Sequence, residues 1–315
     1  MSRIPLTLAL GILCVPSQPS VAGQLDPPGA PAPTEIGIDA AEARTPVNSL
    51  PGSITSLHVI SEQGSYYLTE NISGESGRNG IEVTSTQVYL DLNGFSLVGV
   101  AGSLDGINAT GQNLTVTGGI IVGWGEDGLD SSDSPETVVN DVQAASCGAE
   151  GIWVGINGYV ENCVARDNGQ SGIRGGLLGI VRDSLSSGNE GPGFRINEGY
   201  LVENCVSNNN SDDGFLLANA NEIRGCYSNA NFFGDGMGVG IRVTGFDNTV
   251  DNNYVRSNAD GIVVEAAGNL VIRNRASGNG AGPDDYTVAA GNTVGPIVTV
   301  SDPIVSTNPW ANIQF

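Results

Sequence analysis

The sequence contains no lysine, one histidine and two methionines. Without lysine it has neither a Schiff-base lysine nor a P-loop. With His58 as the one histidine, a histidine-rich zinc or copper site is excluded and a Ser-His-Asp triad is disfavoured. The 12 cations are all arginine against 34 carboxylates, so the net charge is −22. Such a surface repels nucleic acid, and no nucleic-acid partner is expected.

The first 52 residues differ in composition from the rest of the chain. Residues 1–22 have the pattern of a secretory signal peptide, with Arg3, a short apolar run and small residues at 20–22. Residues 23–52 are rich in proline and alanine and predict an extended linker. No later stretch is apolar enough for a transmembrane segment. The sequence therefore predicts a secreted protein, extracellular or on the cell surface.

A repeat of about 21 residues runs through most of the chain. A glycine followed by an apolar residue recurs at Gly80, Gly106, Gly128, Gly151, Gly172, Gly193, Gly214, Gly240 and Gly261. Three further rows keep this register. One is apolar: Val139, Val160, Val181, Val202, Ile223, Val250 and Val271. One is mostly small: Ala144, Ala165, Ser186, Ser207, Ser228, Val255 and Ala276. One is nearly all asparagine: Cys147, Asn168, Asn189, Asn210, Asn231, Asn258 and Asn279.

The composition of each repeat favours a β-helix over a leucine-rich repeat. Each unit has short Gly-Ile-x-Val runs broken by Gly/Asn turns, with no helical periodicity and no leucine-rich signature. If one unit is one coil, equivalent residues stack about 4.8 Å apart and asparagines bond to their copies on the next coil. We therefore predict an all-β, single-stranded parallel β-helix over residues 53–295, with about ten coils. Residues 296–315 are expected to cap its end, with Trp310 and Phe315 as anchors.

The chain resembles the right-handed parallel β-helix repeat family, which includes pectate lyases, polygalacturonases and many secreted bacterial proteins. The resemblance rests on the Gly-Ile-x-Val units, the asparagine row and the opening segment VYLDLNGF at 88–95. It covers about three-quarters of the chain. It implies a right-handed solenoid but leaves the function open, because this fold carries lyases, hydrolases, epimerases, adhesins and passive scaffolds.

Four cysteines follow the signal segment, namely Cys147, Cys163, Cys205 and Cys226. The last three share one register, so Cys205 and Cys226 are expected on adjacent coils. That separation permits a disulfide in an exported protein. Side chains stacked in parallel point the same way, however, which favours free buried thiols. No cysteine or histidine cluster has the spacing of a metal site.

The residue after the first apolar position of each unit is expected to face outward. An aromatic ring beside paired arginines suits a sugar that carries a carboxylate or sulfate, because arginine forks bind such anions. The alternative is that nearby Glu and Asp neutralise the arginines and the row is merely solvated. The outward row consists of Asn108, Asp130, Trp153, Arg174, Arg195, Leu216, Arg242 and Val263.

The unit between Gly214 and Gly240 is about five residues longer than the others and includes the segment FFGDGM at 232–237. This loop, with Asp235, is interpreted either as a ligand rim or as a loop folded over the coil. Carboxylates precede several of the repeat glycines. They are expected either to stabilise turns or to bind Ca²⁺, and no other cofactor is expected.

Two classes of function remain open. The first is a non-catalytic glycan-binding or structural protein, with a polysaccharide or cell-surface glycan as partner. The second is a polysaccharide lyase or glycoside hydrolase acting on an acidic polysaccharide, since Asp212-Asp213-Gly214 resembles the paired aspartates of polygalacturonases. The accompanying Asn-Thr-Asp, Gly-His-Gly and Arg-x-Lys elements of that family are missing. The candidate ligand residues are Trp153, Arg174, Arg195, Arg242, Asp130 and Asp235.

Overall fold

The protein is a parallel β-solenoid of about twelve turns, described here by a computed structural model. The described residues are 44–232, 238–280, 285–299 and 306–315. They form 31 strands and one 3-10 turn, Val47–Ser49, and contain no α-helix. The predicted all-β architecture is therefore confirmed, with about two more turns than expected. No helix in the described part of the chain is long and apolar enough to cross a membrane.

The strands form three parallel sheets, because each coil bends at two or three corners. Sheet 1 contains Ser56–Ile60, Asn79–Val83, Ile107–Ala109, Leu129–Ser131, Ile152–Val154, Phe215–Asn219, Val239–Val243, Asp260–Val264 and Tyr286–Val288. Sheet 2 contains Arg44–Pro46, Gly64–Tyr67, Val88–Asp91, Gly158–Glu161, Glu222–Arg224, Thr249–Asp251, Leu270–Ile272 and Thr293–Val294.

Sheet 3 lies between sheet 2 of one coil and sheet 1 of the next along the chain. It contains Ile72–Ser73, Ser96–Val98, Val164–Arg166, Leu185–Ser187, Val206–Asn208, Tyr227–Asn229, Tyr254–Arg256, Arg275–Ser277, Ile297–Thr299 and Asn312–Gln314. Four long strands pass a corner without a break. Leu114–Val122 and Val138–Ala145 join sheets 2 and 3, and Ile173–Arg182 and Phe194–Glu203 join sheets 1 and 2.

The predicted rows are stacked as the repeat requires. Val160 pairs with Val181, Val181 with Val202, and Ala165 with Ser186. The side chains of the apolar and small rows are buried. Two phenylalanines of sheet 1, Phe194 and Phe215, stack with ring centroids 4.8 Å apart. The interior is thus filled by like residues from successive coils, which explains why the sequence repeats.

The asparagine row forms a continuous buried ladder. The amide of Asn189 donates to Oδ1 of Asn210 at 2.8 Å, and Asn210 donates to Asn231 at 2.8 Å. A second ladder that the sequence reading missed lies at another corner, in Asn221, Asn248, Asn269 and Asn292. The sequence does repeat asparagine at this position, but only in the last coils. Both ladders satisfy buried backbone groups where the chain turns.

The boundaries of the solenoid differ from the prediction at its start. Arg44–Pro46 pairs with Gly64–Tyr67, and the Val47 side chain is fully buried. Residues 44–52 therefore belong to the first coil rather than to a linker. Val47 packs against the core at the N-terminal end of the solenoid, where the core would otherwise be exposed. Residues 1–43, with the expected signal peptide, lie outside the described part.

The expected cap at the other end includes two paired strands. Asn312–Gln314 pairs with Arg275–Ser277 and with Ile297–Thr299. The Trp310 ring lies 5.2 Å from the Arg273 guanidinium and the Phe315 ring 5.4 Å from that of Arg275. Both rings remain about half exposed. They therefore contact arginine side chains on the outside of the last coils and do not plug the core.

The four described cysteines are free and buried, as the parallel stacking predicted. The Cys205 N–H donates to Sγ of Cys226 on the next coil at 3.4 Å. Burial raises the pKa of Cys147 to about 11 and that of Cys163 to about 12. These thiols stay protonated at neutral pH and act as small apolar residues of the core.

Candidate functional site

The outward row of sheet 1 is arranged in the predicted register. Trp153 pairs with Arg174, Arg174 with Arg195, and Arg195 with Leu216. Arg242 lies one coil beyond Leu216, and Asp130 lies one coil before Trp153. All of these side chains are at least partly exposed. The repeat thus places one tryptophan, three arginines and an aspartate in one outward-facing row that runs along the axis of the solenoid.

Arg174 is neutralised from the coil below. Its Nη1 donates to Oε1 of Glu150 at 2.9 Å, and its guanidinium lies 3.9 Å from the centroid of the Trp153 ring. The Glu150 side chain is only 3% exposed. The expectation that carboxylates of nearby turns pair with the arginines is therefore correct for Arg174. Held between Glu150 and Trp153, it fixes the orientation of the ring.

Arg242 has two acidic partners. Its Nε donates to Oδ2 of Asp213 at 2.7 Å, and its Nη1 donates to Oε1 of Glu265 at 2.7 Å. Asp213 is buried, like Glu150, and it also accepts the N–H of Val239 at 2.8 Å. Asp213 is thus a structural carboxylate that links two coils. This role differs from that of a catalytic partner of Asp212.

Arg195 differs from the other two arginines. It is exposed, and within the described residues it makes no ion pair. The reason is visible in the register. The position that supplies Glu150 to Arg174 and Asp213 to Arg242 is occupied by Ser171 below Arg195. Arg195 is therefore the arginine of this row that has no carboxylate close enough, among the described residues, to balance its charge.

Sheet 2 shows how this chain arranges charges elsewhere. Its outward row alternates in sign over five coils, through Glu161, Arg182, Glu203, Arg224 and Asp251. Arg182 contacts Glu161 at 2.6 Å and Arg224 contacts Glu203 at 2.8 Å. Alternation of this kind satisfies each charge within the protein. The adjacent arginines of sheet 1 depart from this pattern.

A buried column of polar side chains runs behind the Trp153 side of the face. Each residue accepts the backbone N–H of its successor: Asn79 from Asp105 at 2.9 Å, Asp105 from Asp127 at 2.9 Å, and Asp127 from Glu150 at 2.7 Å. Burial raises the pKa of Asp105. Burial and the Glu150 charge raise the pKa of Asp127 to about 8. Asp127 is therefore largely protonated at neutral pH, and the column serves mainly to join coils.

An aliphatic ridge, which the sequence reading missed, lies at the corner between sheets 1 and 2. It consists of Ile156, Leu177 and Leu178, whose exposed fractions are 44%, 45% and 55%. Leu178 has φ = +57°, in the left-handed region. The sequence does show a pair of leucines here. Leu178 occupies the corner position that is Asn157 on the preceding coil and Gly199 on the following one.

The remaining predicted site residues add no ligand-binding contact among the described residues. Within the described ranges, no group of three or more Asp, Glu, His or Cys side chains is placed to hold a metal ion. Asp130 accepts the N–H of Ser132 through Oδ1 at 2.8 Å, which is a turn-stabilising role. Asp235 and most of the loop 232–237 lie outside the described residues. Of that loop, Phe232 is described and is 42% exposed.

The described residues thus form a parallel β-solenoid whose sheet 1 carries an outward row of arginine and tryptophan side chains. A family model for the right handed beta helix region matches residues 105–245. Residues 105–245 therefore match the right-handed β-helix family, and the parallel coils on either side of them continue the same architecture. No curated protein matches its sequence significantly.

The same architecture is found in one solved structure with a TM-score above 0.5, and two others are similar at lower scores. The A-module of the Azotobacter vinelandii mannuronan C-5 epimerase AlgE6 superposes with a TM-score of 0.55 at 15% identity, covering 80% of this chain and 89% of that one. The A-module of AlgE4 from the same organism gives 0.46 at 13% identity over 80% and 86% of the two chains. The pectate lyase Pel9A gives 0.41 at 17% identity over 82% and 72%. At these identities the likeness concerns the fold alone.

Proposed function

We propose that this chain is a non-catalytic, secreted glycan-binding protein that holds an acidic polysaccharide along the outward row of sheet 1. The observation that carries the proposal is Arg195, exposed and without a carboxylate partner among the described residues in a chain of net charge −22. An anion from outside supplies the missing counter-charge. The Trp153 ring lies two coils away in the same row with Arg174 against one face, and the rest of the ring offers a surface on which a sugar packs.

The roles of the three arginines follow from their contacts. Arg195 receives the carboxylate or sulfate of the glycan through its guanidinium fork. Arg174 is a positioning residue, since it is engaged by Glu150 and orients Trp153. Arg242, two coils away, is engaged by Asp213 and Glu265, so its charge is balanced within the protein and it is not assigned a direct contact with the glycan. The solved structure with the highest TM-score given above is a mannuronan C-5 epimerase, and a uronan is therefore a suitable first probe.

The central test is the substitution Arg195→Ala. We expect it to weaken retention on a polyuronate column about five- to twentyfold, because one charge-assisted hydrogen-bonding group is lost. Arg256→Ala is the matched control, since Arg256 is also exposed and unpaired within the described residues but lies on sheet 3. Affinity electrophoresis in gels containing the polysaccharide measures both variants.

Two results would contradict the proposal. One is equal retention of Arg195→Ala and the unmodified protein. The other is an equal loss with Arg256→Ala, because it would reduce the interaction to a general effect of charge. Retention should also decrease with added salt, since the contact is an exposed ion pair.

Secretion is part of the same proposal and has its own test. The composition of residues 1–22 supports an export signal. We expect the full chain produced in a bacterium to leave the cytoplasm and to begin near residue 23 after cleavage. N-terminal sequencing of the exported protein checks this. Retention of the intact chain in the cytoplasm would contradict it.

An alternative function is a polysaccharide lyase or glycoside hydrolase at the same face. The observation that favours it is Asp127, a carboxyl group whose pKa of about 8 lets it keep or release a proton near neutral pH. It lies in the coil of Asp130, one coil below Trp153, with its side chain in the buried column behind the face. Release of unsaturated uronates or reducing ends from polyuronates, abolished by Asp127→Asn, would support this alternative. Binding without any product supports the non-catalytic function.

A further inference from the structure

A concave surface lies at the corner between sheets 2 and 3, away from the outward row of sheet 1. We call it the corner notch; its volume is about 370 Å³, near the lower end of the range of about 300–1,000 Å³ that small-ligand sites occupy. Two long paired strands, Leu114–Val122 and Val138–Ala145, pass through it, so its backbone is held by the ladder of the solenoid. Its polar side chains are Asp141, Gln143 and Asn162, and its partly exposed apolar ones are Ile120 and Val164.

The floor of the corner notch is bare backbone. Successive coils place one residue at this corner in the left-handed region, with φ of +68° at Gly118, +57° at Asp141 and +54° at Asn162. Aspartate and asparagine accept this conformation on the later coils, so it does not by itself require glycine at 118. Packing does not require it either, because a Cβ there would meet only Oδ1 of Asp91, at 3.6 Å. A Cβ at Gly94 would meet no atom within 4 Å. The two glycines therefore leave open a space that side chains fill on other coils.

Two polar side chains of the corner notch have hydrogen-bonding capacity that the protein does not use. Asp141 and Gln143 are exposed and flank the buried Val142, and neither side chain has a hydrogen bond or ion pair within the described residues. Asn162 lies beside Asp141 on the next coil, and its amide makes one long contact, to Oδ1 of Asn140 at 3.4 Å. The notch thus offers a carboxylate and two amide groups to a ligand.

The chemistry of these groups limits the ligand. An anion is disfavoured, because the Asp141 carboxylate has no arginine beside it to offset its charge. A metal ion is disfavoured as well, because one carboxylate beside two amides supplies little charge, and no metal-holding group of acidic, histidine or cysteine side chains occurs in the described ranges. Hydroxyl groups match the notch, since a carboxylate accepts their hydrogen bonds and amides both donate and accept.

We propose that the corner notch binds one neutral hexose unit of an uncharged glycan. Asp141 accepts hydrogen bonds from the sugar hydroxyls, and the amides of Gln143 and Asn162 bind the neighbouring hydroxyls. The C–H face of the ring packs against Ile120 and Val164, and the bare corner admits the edge of the ring. The site lies on another face than the row of sheet 1 and does not rest on the proposed function.

Titration with cellotetraose, mannotetraose and galactotetraose, followed by backbone amide chemical shifts, tests the site. We expect at least one of them to bind with a dissociation constant of about 1 mM and to shift the amides of residues 118–120 and 141–143. Asp141→Gly should weaken this binding about five- to twentyfold, because a charge-assisted hydrogen bond is lost while glycine keeps the left-handed backbone. Gly118→Asn should weaken it at least about tenfold, because its side chain enters the space of the ring.

Asp183→Gly is the matched control. Asp183 occupies the same left-handed corner position two coils after Asp141, is exposed, and does not line the corner notch. Both substitutions remove one carboxylate and place glycine at positive φ, so they should affect stability alike. We expect Asp183→Gly to bind the oligosaccharide as tightly as the unmodified protein does.

Four results would overturn the neutral-sugar site. One is no binding of any of the three oligosaccharides at millimolar concentrations. Another is equal weakening by Asp141→Gly and Asp183→Gly, since it would reduce the effect to a general loss of charge. Amide shifts confined to sheet 1 would place the sugar on the other face. Loss of binding on addition of a chelator would assign the notch to a divalent cation. Each of these results leaves the Arg195→Ala test on polyuronate as it stands.

Discussion

Asn210→Ala is expected to lower the free energy of unfolding by about 3 kcal/mol, because several buried groups lose their partners at once. Asn210 accepts from the N–H and the amide of Asn189, at 3.1 and 2.8 Å. It also donates to Ser207 and Asn231. Alanine fills none of these roles, and water has no access to this corner. Chemical denaturation followed by circular dichroism measures the change.

Asn208→Ala is the matched control for the ladder. Asn208 lies two residues away, is only half-buried and accepts one hydrogen bond, from the Asn229 amide at 2.7 Å. We expect this variant to lose no more than about 1 kcal/mol. If both variants lost the same small amount, the ladder would contribute no more than an exposed hydrogen bond. The account of why asparagine recurs at this position would then be wrong.

Asp127→Asn is expected to change the pH dependence of stability. Burial and the Glu150 charge raise the pKa of Asp127 from 3.8 to about 8 in the folded chain. The folded state therefore keeps a proton that the unfolded chain releases above about pH 4. Stability from this group is complete below pH 4 and declines as the pH rises toward 8. Between pH 5 and pH 8 the unmodified protein should lose roughly 3 kcal/mol through this group.

The asparagine variant removes that loss. Its amide oxygen can still accept the N–H of Glu150, as Asn79 does for Asp105 lower in the same column. We expect Asp127→Asn to equal the unmodified protein in stability below about pH 4, and its advantage to grow by roughly 3 kcal/mol between pH 5 and pH 8. Asp133→Asn removes the same charge from an exposed position of the same coil and is the control. Parallel stability profiles for all three proteins would show that Asp127 is ionised when folded.

Much of the architecture was predictable because each interior position repeats its chemistry at a fixed interval. The glycine, valine and asparagine rows have the register that the structure shows, and the free state of Cys205 and Cys226 followed from parallel stacking. The outward order of Trp153, Arg174 and Arg195 followed from the same count. The start of the solenoid did not, because the proline-rich composition around Arg44–Pro46 hides a strand that pairs only with a later coil.

The sequence by itself determined the solenoid and the line of side chains on sheet 1, since neighbours one coil apart are set by periodicity alone. The tertiary structure decided which of those side chains are engaged. Glu150 reaches Arg174 and Asp213 reaches Arg242, whereas Ser171 leaves Arg195 without a carboxylate. It also brought Ile156, Leu177 and Leu178 together at one corner. The physical reason is that side-chain reach and backbone bends at corners depend on three-dimensional geometry, which the repeat does not encode.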